Sequence, residues 1–257
     1  MSSTLRDYLF HEEPGVALYC GDALDVLPLL PDVSIATVVG DPPYCSGGRT
    51  QQGARQVFEK SDRDDWFLGD NMGTDSYVWW LREIAGHLNR VAVVGAHMYL
   101  FTDWRQYTNV IVGCETKGWT LRSVVVWDKA RGGAMGSFWR SNHEWVPVFT
   151  KGPPRPLPNS SFFNTWQGTK PQADEHPTVK PVALMKYLLS AGGGPAIDPW
   201  LGSRTTLEAA KALGIPVVGI EVEPRYCEIA VKRLRQEVLS LVAPDEARSA
   251  ASRASAS

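Results

Sequence analysis

Apolar positions in this chain fall into short β-branched runs that stop at an acid, alternating with longer stretches whose apolar residues recur at helical spacing. Val33, Ile35, Val38 and Val39 form one such run, closed by Gly40-Asp41-Pro42-Pro43-Tyr44. Proline fixes φ and lacks an N–H, so it cannot continue a central strand. The pattern predicts a buried strand whose carboxyl end delivers a carboxylate, stiff carbonyls and an aromatic face into a crevice. Gly15–Cys20, Ala196–Asp198 and Val217–Glu221 predict three more strands, ending at Asp22, Asp198 and Glu221. Further strands are predicted over Val91–Phe101, Trp119–Trp127 and Glu144–Phe149, the last an edge because it contains Pro147.

Helical spacing is clearest over Ser76–Leu88, where Tyr77, Trp80, Leu81, Ile84 and Leu88 share one face. Helices are also predicted over Arg105–Glu115, Thr205–Leu213, and from Pro224 to near Val242. Pro181 suits the first turn of another, stopped after Ala191 by Gly192-Gly193-Gly194. A brief helix from Ala23, with Leu24 and Leu27 on one side, tightens at Pro28. Alternating strands and helices imply an α/β chain: a doubly wound, mostly parallel sheet with helices on both faces. Residues 1–242 read as one domain, and 243–257, rich in Ala, Ser, Arg and acids, as a disordered tail.

Two stretches lack periodicity. Residues 45–75 are polar and Gly-containing, with Arg49, Arg55, Lys60 and Arg63; loops of about thirty residues in a compact domain are usually functional or unstructured. Residues 129–175 begin with the Gly- and Arg-rich run from Lys129 and Arg131 to Arg140, and continue after the Glu144 strand into a surface segment, Lys151–Glu175, with five prolines.

With 257 residues the chain is long enough for a sizeable core, and its net charge of -2 gives no global basic field. Any nucleic acid must be held by a local patch, for which the two aperiodic stretches are the candidates. Ten tryptophans is a high number; Trp66, Trp79, Trp80, Trp127, Trp139 and Trp166 are expected in the core or an interface, although such rings also suit base stacking. The four cysteines are scattered, with no CxxC pair and no His at ligand spacing, which predicts reduced thiols, no metal and a cytoplasmic protein. No apolar run approaches the roughly 20 residues of a membrane span, and the acidic N-terminus is no signal peptide.

In an open α/β sheet, ligands sit beyond the carboxyl ends of the strands, so Asp22, Asp41, Asp198 and Glu221 should border one crevice. A lone acid there is usually a helix cap; four together are harder to dismiss. Asp198-Pro199-Trp200-Leu201-Gly202-Ser203-Arg204-Thr205-Thr206 opens a helix whose N-terminus presents free N–H groups. It is neither GxGxxG nor a Walker loop. Glu221, at the next strand end, is placed to take both hydroxyls of a ribose, so the pair points to an adenosine-type cofactor.

These residues, with His176-Pro177-Thr178-Val179-Lys180-Pro181, resemble the amino-group DNA methyltransferases of the permuted β order, in which the catalytic motif precedes the cofactor motif. The resemblance spans roughly Val16 to Leu234. Ser46–Arg49, Gly69-Asp70-Asn71 and Phe101–Arg105 look like small phage or prophage members. It implies a seven-stranded-type sheet, S-adenosylmethionine as cofactor and double-stranded DNA as partner in a bacterial cell, with homodimers common among relatives. Asp41 and the backbone at Pro42 and Pro43 would hold the target amino group while Tyr44 stacks on a flipped base. Asp198, Pro199, Gly202, Ser203, Thr205 and Thr206 would hold the methionine part of the cofactor. Glu221 would take the ribose, Asp22 with Ala23 the adenine, and His176, Thr178 and Lys180 would line the methionine end. Arg49, Arg55, Lys60, Arg63, Lys129, Arg131 and Arg140 are the DNA-contact candidates.

Arg204 departs from the family pattern, which usually has glycine there; a positive φ would strain an arginine, whereas a first-turn position lets it point outward. The expected reaction is methylation of the adenine amino nitrogen. Cytosine, whose exocyclic amino group offers similar geometry, is the nearest rival; the aspartate opening the tetrapeptide leans toward adenine, since the family's cytosine members more often begin it with serine. A DNA-binding module whose cofactor site is blocked by Arg204 is a further alternative. A nicotinamide oxidoreductase is disfavoured, since Gly21-Asp22-Ala23-Leu24 is no dinucleotide fingerprint. His87, His97 and Asp103 are expected to be structural, Asp103 as a helix cap.

Overall fold

A continuous run of buried residues, Ile35–Gly40, forms strand β3 near the middle of a nine-stranded sheet. The computed structural model describes residues 3–45, 72–130, 139–169, 179–202 and 205–235. In chain order the strands are β1 (Leu9–Glu13), β2 (Val16–Cys20), β3, β4 (Ala92–Leu100), β5 (Trp119–Asp128), β6 (His143–Lys151), β7 (Thr165–Gln167), β8 (Ala196–Asp198) and β9 (Val217–Glu221). Their spatial order is β1-β2-β9-β8-β3-β4-β6-β5-β7. Five neighbouring pairs are parallel and three antiparallel, the latter being β1–β2, β4–β6 and β5–β6. The strands from β2 to β5 make the expected seven, with one short strand added at each edge.

Helices cover both faces, as a sheet of doubly buried parallel strands requires. On one side lie α1 (Ala23–Val26), α2 (Thr74–Val91) and α3 (Tyr107–Glu115), packed on Val38, Met98, Leu100 and Ile220. On the other lie α4 (Val182–Gly192), α5 (Thr205–Ala212) and a helix α6 over 224–235, packed on Val39, Tyr99, Phe101 and Val217. Alternation within β3 and β4 thus feeds two cores. Gly193 ends α4 with φ 71°, a conformation that glycine adopts without steric cost.

One expectation needs correction, and two strands appear that the sequence did not predict. Pro147 lies in an interior strand, with β6 between β4 and β5. The sheet accommodates it because the β4–β6 ladder runs only through His97–Thr150, Met98–Phe149 and Tyr99–Val148, then resumes as the single bridge Thr102–Trp145. The missing N–H thus falls in a gap of that ladder, while pairing with β5 continues through Val124–Pro147. The Pro-rich segment after Lys151 supplies β7, parallel to β5. Its Arg155 also reaches inward, donating to the carbonyls of Ala36 (3.0 Å) and Gly192 (2.7 Å). The N-terminal stretch that carried no prediction supplies β1. Trp119 and Trp127 are in the core, while Trp79 and Trp139 stand at the surface.

His97 is buried, its ring nitrogens contacting Tyr99 Oη (2.9 Å) and the Arg155 carbonyl (3.1 Å). Asp103 accepts the N–H groups of Arg105 and Gln106 at the approach to α3, as a cap would. Among the described residues no helix is long and apolar enough to cross a membrane, and no group of three or more His, Cys, Asp or Glu is arranged to hold a metal ion. Trp66 and the tail 243–257 lie outside the described residues.

Candidate active site

The four strand-end acids come from four neighbouring, mutually parallel strands, β2, β9, β8 and β3. They therefore line one edge of the sheet, although Asp22 and Asp41 come early in the chain and Asp198 and Glu221 late. Asp22 caps α1, its Oδ1 accepting the Leu24 N–H at 2.8 Å, and Ala23 behind it is buried. Gly21 N–H donates to the Glu221 carbonyl at 2.9 Å, which sets Asp22 beside Glu221.

Asp198 is buried and faces its own loop. Its Oδ1 accepts the Trp200 N–H at 3.0 Å, and its Oδ2 accepts the Thr206 hydroxyl. Burial pushes its carboxyl up to about 7, against the pull of those hydrogen bonds. Pro199 and Thr205 are buried beside it. Glu221 holds the far side of the same loop: Oε2 accepts Gly202 N–H at 2.7 Å and Oε1 accepts Glu223 N–H at 2.8 Å. Burial raises this carboxyl too. Gly202 has φ 50°, so a side chain there would be strained. Two buried acids thus shape the loop between β8 and α5. Ser203 and Arg204 lie outside the described residues.

Asp41 sits differently. Its Oδ2 is 2.7 Å from Lys180 Nζ, while its Oδ1 is sealed from solvent and has no hydrogen-bond partner among the described residues. Burial raises the carboxyl; Lys180 opposes the rise. Lys180 is itself buried, yet Asp41 and Glu144 outweigh that burial and hold its ammonium charged. Lys180 also lies 3.0 Å from Glu144 Oε2, donates to Tyr44 Oη at 3.3 Å, and stands over the rings of Phe101 and Tyr44. Tyr44 donates to Glu144 at 3.2 Å, and burial, then Asp41 and Glu144, keep its phenol protonated. Pro42 is buried and Pro43 partly so. Just beyond, the Cys45 carbonyl accepts from the buried Gln106 amide at 2.9 Å, pinning the end of the tetrapeptide.

Sequence reasoning missed Glu144, Gln106 and Phe101. Glu144 lay inside a predicted strand with nothing to single it out; the ring of its neighbour His143 lies beside Trp145 on the opposite side of the strand. Among the DNA-contact candidates, Lys129 turns inward, 2.7 Å from Glu144 Oε1 and over the Trp127 ring. Arg140 is exposed. Arg49, Arg55, Lys60, Arg63, Arg131, His176 and Thr178 lie outside the described residues.

The family model for DNA methylases matches residues 35–232. The chain belongs to this family. The methylase is 25% identical over 253 residues to the DNA adenine methyltransferase YhdJ of Escherichia coli K12, covering 83% of this chain and 81% of that one. Its fold is that of the M1.HpyAVI–SAM complex (20% identity, TM-score 0.63, 85% and 99% of the two chains). It is also that of the cytosine-N4-specific PvuII DNA methyltransferase (16% identity, TM-score 0.64, 84% and 85%). The methylase accordingly carries out S-adenosylmethionine-dependent methylation of DNA. Its residues fit that cofactor: a strand-end loop braced by two buried acids, Asp198 and Glu221, with Asp22 set beside Glu221.

Proposed function

We propose that the methylase transfers a methyl group to the exocyclic N6 of adenine in double-stranded DNA, with the target base flipped out of the helix. The observation that carries this reading is the buried, unpartnered Oδ1 of Asp41 beside Pro42, Pro43 and Tyr44. An amino group has two hydrogens and a lone pair delocalised into the ring. Oδ1 accepts one hydrogen and a proline-held carbonyl accepts the other, drawing the nitrogen toward tetrahedral geometry and freeing the lone pair for in-line attack. The gain comes from alignment and fixed dipoles rather than acid strength. Bound S-adenosylmethionine would supply the electrophilic methyl group, its sulfonium C–S bond breaking as the N–C bond forms and S-adenosylhomocysteine leaving. Glu221 would take the cofactor's ribose, the Asp198–Gly202 loop its methionine part, and Asp22 its adenine amino group. The methylated amine then loses a proton to Asp41 or to water.

A base stacked in a duplex cannot reach a strand-end crevice, so it must be extruded at a cost of about a few kcal/mol. Tyr44 offers the stacking face that offsets part of this. Aspartate at position 41 and the likeness to an enzyme named an adenine methyltransferase favour adenine over cytosine. The test is transfer of tritiated methyl from S-adenosylmethionine to unmethylated duplex DNA, with nucleosides separated afterwards and Asp41→Ala as control. Label in deoxyadenosine that vanishes in the variant is expected. Label in deoxycytidine would move the reaction to cytosine N4, and no label on DNA would overturn the reading.

A further inference from the structure

Four charged side chains from distant stretches form one file of alternating sign. Lys129 follows β5, Glu144 lies at the start of β6, Lys180 precedes α4 and Asp41 follows β3. Successive separations are 2.7, 3.0 and 2.7 Å. Their side chains are 23%, 16%, 9% and 27% exposed, so Lys180 is the best covered of the four and solvent screens its pair with Glu144 least.

The ammonium of Lys180 has three N–H donors. It has three acceptors: Asp41 Oδ2, Glu144 Oε2 and Tyr44 Oη. Its orientation is therefore fixed, with no donor directed at Asp41 Oδ1. A lysine head on a flexible four-carbon stem has no such geometry of its own. In Glu144→Gln a single amide oxygen faces both Lys129 and Lys180 and the opposing charge is gone, so the Lys180 head can swing across both oxygens of Asp41, covering the acceptor that the amino group needs.

Resting on the methyl-transfer reading above, we propose that Glu144 is a positioning residue for the transfer: it holds Lys180 on Oδ2 of Asp41 so that Oδ1 stays unpaired for the target amino group, and Lys129 braces Glu144 from behind. Lys129 opens the basic run expected to meet DNA, yet its charge is turned on Glu144. Its loss should therefore appear in turnover rather than in DNA affinity.

The experiment compares the full-length wild type with Glu144→Gln and Lys129→Met. Reductive methylation with formaldehyde and borohydride, resolved by peptide mass, reports how well Lys180 is held. Lys180 should be protected in the wild type and react several-fold faster in Glu144→Gln. In steady-state transfer to duplex DNA, Glu144→Gln should lose about 10- to 100-fold in kcat, the scale of a small misplacement at a reacting centre. KM for DNA and S-adenosylmethionine affinity should stay within about twofold. Lys129→Met should show a smaller loss of the same kind, because it loosens Glu144 while keeping both charges of the Glu144–Lys180 pair, and for that reason it carries the test if Glu144→Gln does not fold. Continued protection of Lys180 in Glu144→Gln, or wild-type kcat, would overturn the proposal. So would Lys129→Met raising KM for DNA with kcat intact. Failure of the wild type to methylate DNA would overturn the methyl-transfer reading alone, since the labelling still decides whether Glu144 holds Lys180.

Discussion

Glu221 Oε2 accepts the N–H of Gly202 at 2.7 Å, tying the end of β9 to the loop that follows β8. The other oxygen takes the Glu223 N–H, so both oxygens of one carboxylate meet backbone donors. Glu221→Gln would set an amide NH2 against a backbone N–H. Calorimetry should show S-adenosylmethionine binding weakened by about 10- to 100-fold, the worth of a hydrogen bond to a charged group, with DNA affinity unchanged. Unaltered cofactor affinity would remove Glu221 from the ribose site.

Lys180→Met leaves Asp41 and Glu144 without their shared cation. Urea denaturation at pH 8 should show a loss of about 3 kcal/mol, the low end for breaking a buried pair, because the Asp41 side chain keeps 27% exposure. Without the ammonium, the folded-state pKa of Asp41 rises further above its unfolded value. The folded variant then binds a proton that the unfolded chain does not, and its stability falls as pH rises through that raised value. The gap from wild type should narrow at pH 5; a gap independent of pH would point to lost packing instead.

Asp198 carries the opposite experiment, in which neutralising an acid helps. Its folded-state pKa is raised to about 7 by burial, above the unfolded value of about 3.9. Its contribution to stability is fully present below the unfolded value and is lost as pH rises to the folded one, with a slope of up to about 1.4 kcal/mol per pH unit. Asn can still accept from Trp200 N–H and can donate to the Thr206 hydroxyl. Asp198→Asn should therefore flatten the stability profile between pH 5 and 7 and leave the variant at least as stable at pH 7. A wild-type slope in the variant would assign the titration to another group.

Gly40 has no room for a methyl group. A Cβ there would stand 2.7 Å from the Trp200 indole, itself packed against Trp80 with centroids 5.6 Å apart. Gly40→Ala should cost about 1–3 kcal/mol by overpacking. Because Trp200 belongs to the Asp198 loop, equilibrium dialysis should show weakened cofactor binding as well. Lost stability with intact cofactor binding would mean that the loop shifts without consequence.

The central strands were legible because a parallel strand buried on both faces reads as an unbroken apolar run, and each ended in an acid that the sheet order then brought together. β1 and β7 were not legible. Leu9–Glu13 mixes apolar and charged residues, and β7 has only three residues. Pro147 pointed to an edge because proline breaks a ladder, whereas here the gap before the Thr102–Trp145 bridge absorbs the break. At the site, Asp41 and Tyr44 could be singled out as neighbours in the chain. Glu144 could not, because its importance lies in Lys129 and Lys180, which reach it from another strand and from the approach to α4. An ion pair between remote residues leaves no periodic trace.

Strands β8 and β9 enter the sheet between β2 and β3, so the last strands made occupy its middle. During synthesis, β2 and β3 leave the ribosome long before the strands that separate them. Until then each presents an open edge to whatever is nearby, the kind of surface that chaperones cover. Such non-local pairing is slow to form. The Asp41 motif therefore has no counterpart for most of the time the chain is being translated. Truncation ahead of β8 takes out the centre of the molecule, and a nascent fragment of this methylase carries the Asp41 motif with neither β8 nor β9 beside it.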